Sequence, residues 1–366
     1  MVTIGDIAVR SQVSTATVSH VINDSAYVSP KLRERVLRAV RELNYRPNWM
    51  ARSLRTKQTK TVGIIVADIA NPFFAAVVRG AEDLLNQEGY TLLIGNSDND
   101  PAKEESYHYA FAVKRVDGLL LVISPATRPP EYLRRHDEQA QPIVFIDRWY
   151  QGLRGDTVLA DNLGGSYEAV RHLIRSGHRR VGIITGPLLM SNARLRLKGY
   201  EQALAEYGLK IEKDLVREGQ FDVASGYEQT KALLGLPAPP TGLFCSNGLM
   251  TMGCLRALRD LGVRCPEDLA LVSFDDMEFF TLTKPQVTAV AQPGYDLGAT
   301  AAELLLRRLS GRGARIHRRT ILKTELRIRE SCPLLGTRHS NDAPRPHPNL
   351  QSGDAPLAAD LRKQAS

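Results

Sequence analysis

The chain has 366 residues, 43% of them hydrophobic and 24% charged, with a formal net charge of +8. That length is too great for one simple core and divides into two or three domains, and no apolar run is long enough to cross a membrane. The four cysteines (Cys245, Cys254, Cys265 and Cys332) are scattered with no Cys-x-x-Cys pair. They read as buried thiols in a reducing cytosol, with no disulfide framework, no metal and no cofactor expected.

The charge is uneven. Residues 1–60 hold eleven Lys and Arg against four Asp and Glu, whereas residues 61–335 hold 33 of each. A neutral body with a basic N-terminal sixth is the electrostatic footprint of a polyanion partner. Nucleic acid fits better than a membrane surface, because the basic segment lacks an amphipathic stripe with aromatics facing lipid.

Taken in order, Thr3 with Asp6 three residues on has capping-box spacing and opens a first helix that turns Ile4, Ile7 and Ala8 inward. A break follows at Ser11-Gln12, and Ser14 is a fitting N-cap for a second helix through Asn23. There Val18, Val21 and Ile22 share one face, and the opposite face carries only Thr15, Ala16, Ser19 and His20. A face that lean can approach another surface closely, and an α-helix fits the DNA major groove. Ser29-Pro30, an N-cap followed by proline at the first helical position, opens a third helix to about Leu43. Three such helices make a helix-turn-helix headpiece over residues 1–46.

Residues 47–60 read as a hinge and linker. Asn48 to Leu54 spans about two helical turns, too short to hold alone in water, so its folding must be coupled to DNA or to a second copy of itself. Leu54 between Arg52 and Arg55 fits an apolar wedge between base steps, with arginines on the adjacent phosphates.

From Val62 the pattern changes to apolar strand runs separated by helix-length segments. The runs are Val62–Ala67, Tyr90–Gly95, Gly118–Ile123, Pro142–Asp147 and Thr157–Asp161. The rhythm restarts at Arg180–Gly186 and continues through Gly242–Asn247 and Leu269–Asp275. Continuous apolar strands between helices argue for parallel sheets covered on both faces, here in two similar halves. The fold class is therefore α/β: a helix-turn-helix headpiece and a body, 61–335, of two doubly wound parallel-sheet subdomains. Residues 336–366, rich in Pro, Asn, Ser and Asp, read as an unstructured tail.

Open parallel sheets bind ligands beyond the carboxyl ends of their strands. Those ends carry Asn71-Pro72-Phe73-Phe74, Asp147-Arg148, the pair Arg194 and Arg196, Phe221, Asn247 and Phe274-Asp275. Gln292 follows Val287–Ala291, a plausible crossover between halves. Phenyl faces beside Asp, Asn, Arg and Gln suit a sugar, whose C–H faces pack on rings and whose hydroxyls each need a donor and an acceptor. The chain shows no phosphate-cradling glycine loop with lysine, no His-Glu-x-x-His and no nucleophile elbow, which disfavours an enzyme acting on a sugar or nucleotide.

These residues resemble the LacI/GalR family of bacterial transcription repressors, over about residues 2–332. The resemblance rests on Val13-Ser-Thr-Ala-Thr-Val-Ser-His-Val-Ile-Asn23, Glu42-Leu-Asn-Tyr-Arg-Pro-Asn48 and Ala51-Arg-Ser-Leu54. In the body it rests on Asn71-Pro-Phe-Phe, Lys114-Arg-Val-Asp-Gly-Leu-Leu120 and Ala193-Arg-Leu-Arg-Leu-Lys-Gly-Tyr200, closest in look to the ribose and purine repressors. The body is also similar to periplasmic ribose-binding proteins. The resemblance implies subdomains over about 61–160 with 292–318, and 161–291 with 319–335.

It also implies roles. Thr15, Ala16 and His20 would face base edges, with Thr17 and Ser19 near phosphates and Asn23 in the same DNA-contacting set. Leu54 would be the minor-groove wedge, with Arg52, Ser53 and Arg55 beside it. Asn71, Phe73, Phe74, Ser124, Asp147, Arg148, Arg194, Phe221, Asn247, Asp275 and Gln292 match effector positions. Three departures stand out. Ser124 replaces a frequent asparagine, Gly248 replaces a common aspartate, and Gln12 replaces the glycine or asparagine usual in the turn. The implied protein is a cytoplasmic homodimer on a palindromic double-stranded operator. Its implied effector is a sugar, ribose or a related pentose, with a purine or nucleoside as the alternative.

Overall fold

The computed structural model describes residues 2–45, 58–126, 130–133, 141–311 and 316–334. Two compact units part at Thr59 and Lys60.

In the first unit, α1 (Ile4–Ser11), α2 (Thr15–Asn23) and α3 (Pro30–Glu42) close around Ile7, Ala8, Val18, Val21, Val36 and Ala39. The capping box forms: Thr3 Oγ1 accepts from the Asp6 amide at 3.3 Å, and the Asp6 carboxylate accepts from the Thr3 amide at 2.7 Å. Ser14 Oγ accepts from the Thr17 amide at 3.1 Å and so caps α2. Gln12 sits at φ 50°, ψ 48°, the left-handed conformation that a glycine would adopt without strain. Arg35 Nη2 donates to the Ser11 carbonyl at 2.6 Å and the Gln12 carbonyl at 3.3 Å, satisfying acceptors that the end of α1 leaves open.

The second unit holds two six-stranded sheets. The first contains β1 (Thr61–Val66), β2 (Thr91–Asn96), β3 (Gly118–Leu121), β4 (Ile143–Ile146), β5 (Asp156–Ala160) and β11 (Arg319–Leu322), in the order β11-β5-β4-β3-β1-β2 and all parallel. The second contains β6 (Val181–Thr185), β7 (Val216–Glu218), β8 (Gly242–Cys245), β9 (Ala270–Phe274), β10 (Thr288–Ala291) and β12 (Glu325–Arg327), in the order β12-β10-β9-β8-β6-β7. Only β12 runs antiparallel there. Helices α4 (Pro72–Gln87) and α5 (Pro101–Val113) belong to the first half, and α6 (Asn162–Arg175), α7 (Ser191–Glu206), α8 (Val223–Leu234) and α9 (Gly248–Leu261) to the second; α10 (Gly294–Leu309) returns to the first.

The chain thus crosses between halves after β5, after β10 and at Lys323-Thr324. The third crossing corrects the expected boundary at 318/319. β11 pairs in parallel with β5, from Arg319 against Thr157 to Leu322 against Ala160, and closes the edge of the first sheet. Only β12 lies in the second, opposite β10. The physical reason is that β11 is a short edge strand with alternating exposure, so it lacks the continuous apolar run that marks its buried neighbours.

An ion pair secures that edge. Asp156 accepts from Arg308 Nε and Nη2, both at 2.8 Å, and from the Arg318 amide at 2.7 Å. Burial pushes its carboxyl pKa up, but the bonds from Arg308 and Arg318 outweigh burial and hold it below the usual carboxylate range. A depressed pKa contributes stability above the unfolded value of about 4 that is lost as pH falls through the folded value. Asp156→Ala is expected to cost the body roughly 3 kcal/mol at pH 7, because it removes the carboxylate that balances the half-buried Arg308 charge. The cost should shrink as pH drops below about 4. Urea melts from pH 3 to 7 check this, and a pH-independent difference between variant and wild type would contradict it.

Candidate functional site

The headpiece presents one lean surface. Thr15, Ala16 and His20 are exposed on α2, while Thr17, Ser19 and Asn23 are half-buried. Asn23 Nδ2 donates to the Ser19 carbonyl at 2.8 Å and to its hydroxyl at 3.2 Å, which ties the end of α2 together. His20 Nδ1 lies 3.0 Å from Ser25 Oγ, so the imidazole is tethered to the following loop. Arg52, Ser53, Leu54 and Arg55 lie outside the described residues.

The second site is a cleft at the carboxyl ends of both sheets. The first half lines it with Asp68, Asn71, Phe73, Phe74, Asn99, Asp147 and Arg148. Asn192, Arg196, Phe221, Asn247, Leu249, Asp275 and Gln292 complete the lining. Asn71 is the N-cap of α4, its Oδ1 accepting from the Phe73 amide at 3.0 Å, and this sets Phe73 and Phe74 edge to face with centroids 5.0 Å apart. Asp147, Phe221 and Asp275 adopt positive φ angles of 68°, 61° and 76°. Non-glycine residues rarely take that conformation, and its cost of roughly 1–3 kcal/mol each is typical of backbone held for function.

The polar groups of the cleft brace one another. Arg148 Nη1 donates to Asn99 Oδ1 at 2.6 Å and to the Ile123 carbonyl at 3.2 Å. Arg196 donates from Nε to Asn162 Oδ1 at 2.7 Å and from Nη1 to the Ser246 carbonyl at 2.6 Å, with its guanidinium 3.8 Å above the Phe274 ring. Asp275 accepts from Asn247 Nδ2 and from the Gly248 amide, both at 3.1 Å, and from Gln292 Nε2. Among the described residues, Asn192 Nδ2 donates to Asp147 Oδ2 at 3.0 Å and the Trp149 amide to Ser191 Oγ at 2.9 Å, joining the halves directly.

Burial pushes the Asp147 carboxyl pKa up, with Arg148 and Arg196 opposing the rise. Burial lowers the Arg196 pKa, with Asp275 and Asp147 opposing that fall. Arg148 Nε lies 3.3 Å from Asp147 Oδ2, close enough for an ion pair but without hydrogen-bond alignment. Among the described residues, Asp147 Oδ1, Arg148 Nε and Gln292 Oε1 are buried without a hydrogen-bond partner. Two acceptors and a donor in that condition suit a ligand that carries both kinds of group. Asp68, Asp147 and Asp275 outnumber Arg148 and Arg196, so an anionic ligand finds no excess positive charge here.

Nine of the eleven expected effector residues meet in this cleft and two do not. Arg194 is exposed on α7, and its Nη1 donates to the carbonyls of Leu188 and Leu189 at 2.8 Å each. Arg196, two residues on, is the arginine inside. Ser124 is buried off the cleft, its amide bonded to Glu104 and its hydroxyl 3.4 Å from Ser97 Oγ. Gly248 has a steric reason: a Cβ there would lie 2.9 Å from Met277 Sδ and 3.2 Å from Asp275 Cβ, so an aspartate would crowd the ligand wall itself. Motif reading did not single out Asp68, Asn99, Asn192 or Leu249. For Asn192 the signal was its place at the start of the helix after β6, in the same stretch as Arg196.

Residues 3–48 match the family model for bacterial regulatory proteins of the lacI family, and residues 170–332 match the periplasmic binding protein-like domain. A ribose operon repressor of Haemophilus influenzae is 37% identical over 331 residues, covering 90% of this chain and 98% of the relative. The chain belongs to the LacI family. A second LacI-family relative, the HTH-type transcriptional repressor PurR of Haemophilus influenzae strain PittEE, is 38% identical with the same coverage. The structure of the Lac repressor dimer bound to operator and an anti-inducer is 28% identical, covers 90% of this chain and 99% of its own, and has a TM-score of 0.79. As a LacI-family member the protein is a DNA-binding transcriptional repressor with a ligand-binding body, and it is not an enzyme. No helix among the described residues is long and apolar enough to cross a membrane.

Proposed function

We propose that the protein is a cytoplasmic homodimeric repressor that leaves a palindromic operator when ribose or a related pentose closes the cleft. The observation that carries the sugar reading is Asp147 beside Arg148, with Arg196 and Asp275 in the same cleft, floored by unpaired donors and acceptors and walled by Phe73, Phe74 and Phe221. A purine would use the phenyl walls but would leave most of the hydroxyl-reading groups unanswered.

Each headpiece would read one half-site through Thr15, Ala16 and His20, with the paired hinges in the minor groove. The cross-cleft bonds from Asn192 to Asp147 and from the Trp149 amide to Ser191 join the two halves, so a ligand bridging them biases the closed arrangement. If closure separates the hinges, linkage requires operator DNA to weaken sugar binding by the same factor.

The test is calorimetric titration of the full chain with ribose, other pentoses, hexoses, and purine bases and nucleosides, followed by operator release under the ligand that binds. Heat from ribose or a close pentose supports the reading; heat from a purine alone overturns it. Leu54→Ala is expected to weaken specific operator binding by a few kcal/mol while leaving non-specific binding within a factor of about two. Equal loss on operator and random DNA would remove Leu54 from the wedge role.

A further inference from the structure

Behind the cleft lies a buried acid that does not touch it. Glu104, on the first turn of α5, has no exposed surface, and burial pushes its carboxyl pKa up. It accepts hydrogen bonds from the Ser124 amide and the Tyr132 hydroxyl. Ser124 follows β3 and Tyr132 belongs to residues 130–133, so one carboxyl ties down both described ends of the segment leaving the sheet there. Tyr150 adds a second clasp, its hydroxyl donating to the Ser124 carbonyl and accepting from the Ala126 amide, both at 3.0 Å.

The neighbour of Ser124 in the chain is Ile123, whose carbonyl accepts from Arg148 Nη1 at 3.2 Å. A buried carboxyl is costly, and an apolar side chain would fill the same space at less cost. What the acid holds in place is therefore the more economical account of its presence. A guanidinium fork discriminates among hydroxyls only while its plane is fixed.

We propose that Glu104 is a positioning residue for effector recognition: by pinning the Ser124 amide and the Tyr132 hydroxyl, it holds the Ile123 carbonyl where that carbonyl orients the Arg148 guanidinium in the cleft. The proposal rests on the reading that the cleft binds its ligand against Arg148.

Wild type, Glu104→Gln, Glu104→Leu and Tyr132→Phe are compared as full-length proteins by two readouts. In ribose titrations, Glu104→Leu is expected to raise Kd roughly tenfold, a loss of one well-placed bond. Glu104→Gln keeps an acceptor for the Ser124 amide and should stay within about threefold, with Tyr132→Phe in between. The preference for ribose over arabinose should narrow in Glu104→Leu alone. Without any sugar, the Arg148 Nε–H resonance, assigned by its disappearance in Arg148→Lys, should move in Glu104→Leu and stay in place in Glu104→Gln.

A resonance and a ribose affinity both unchanged in Glu104→Leu overturn the proposal, as does a moved resonance with undiminished affinity in protein that binds ribose. Wild type silent to every sugar, with the resonance still moved, sinks the sugar reading and leaves the positioning of Arg148 standing. If Glu104→Leu does not fold, Tyr132→Phe carries the test, and an unmoved resonance there overturns it.

Discussion

Arg196→Met is expected to abolish measurable binding of the effector, a loss of roughly a hundredfold or more. The Nε–H and one N–H of Nη1 are engaged by Asn162 and the Ser246 carbonyl, and the cleft draws on the donors that remain of the guanidinium's five. Its charge also counters Asp147 and Asp275 in a fully enclosed setting. Removing it leaves two buried carboxylates with Arg148 alone, and unpairing a buried charge costs roughly 3–5 kcal/mol. The variant should therefore melt lower as well as bind less.

Arg196→Lys separates these effects. It restores the charge and most of the stability but not the fork, so binding should stay impaired. Arg194→Ala is the control, because Arg194 spends its Nη1 on the carbonyls of Leu188 and Leu189 outside the cleft. Calorimetry and thermal melts on the three variants decide the matter. Full binding by Arg196→Met, or its loss in Arg194→Ala, would reverse the assignment of the two arginines.

Gly298→Val is expected to destabilise the first half of the body by roughly 3 kcal/mol or more. Helices α4 and α10 cross through Gly80 and Gly298, backbone against backbone. A Cβ on Gly298 would sit 1.9 Å from the Val77 carbonyl oxygen, and one on Gly80 would sit 2.0 Å from the Tyr295 carbonyl oxygen. Neither atom is a flexible side-chain end that could swing aside. The helices would have to separate, breaking the packing of Val77, Ala81, Leu297 and Ala301 in the core of this half.

Overpacking typically costs about 1–3 kcal/mol, and a β-branched side chain driven into backbone belongs at or beyond the top of that range. About 3 kcal/mol would lower the melting temperature by roughly 6–12 °C in a body of this size. Even Gly298→Ala should show a clear loss. A melt within about 2 °C of wild type for the valine variant would mean that the two helices can part without cost.

Much of the architecture is written locally. Thr3 with Asp6 and Ser14 with Thr17 cap the first two headpiece helices across three residues, and the third opens at Ser29-Pro30 through the fixed φ of proline, with no side-chain capping bond from Ser29. The runs Val62–Val66 and Gly118–Leu121 announce buried parallel strands because both of their faces are apolar. Asp147, Asn247 and Asp275 could be placed at a ligand site because strand ends in open parallel sheets converge there.

Tertiary structure decided what local pattern leaves degenerate. Arg194 and Arg196 lie two positions apart on α7, about 200° around the helix, so only one can face the cleft, and the packing of α7 on α6 and β6 selects Arg196. Ser124 lies just past a strand end like the others, yet its amide is turned to Glu104, a contact 20 residues away in sequence. β11 and β12 are too short and too polar to declare themselves, and only the open edges beside β5 and β10 make them strands. Asn99 and Asn192 acquire roles solely because folding brings Arg148 and Asp147 to them. Sequence by itself thus determined the helices, the inner strands and the class of protein, through interactions that span a few residues. Which side chains meet in the cleft depended on the packing of whole elements, which no short stretch encodes.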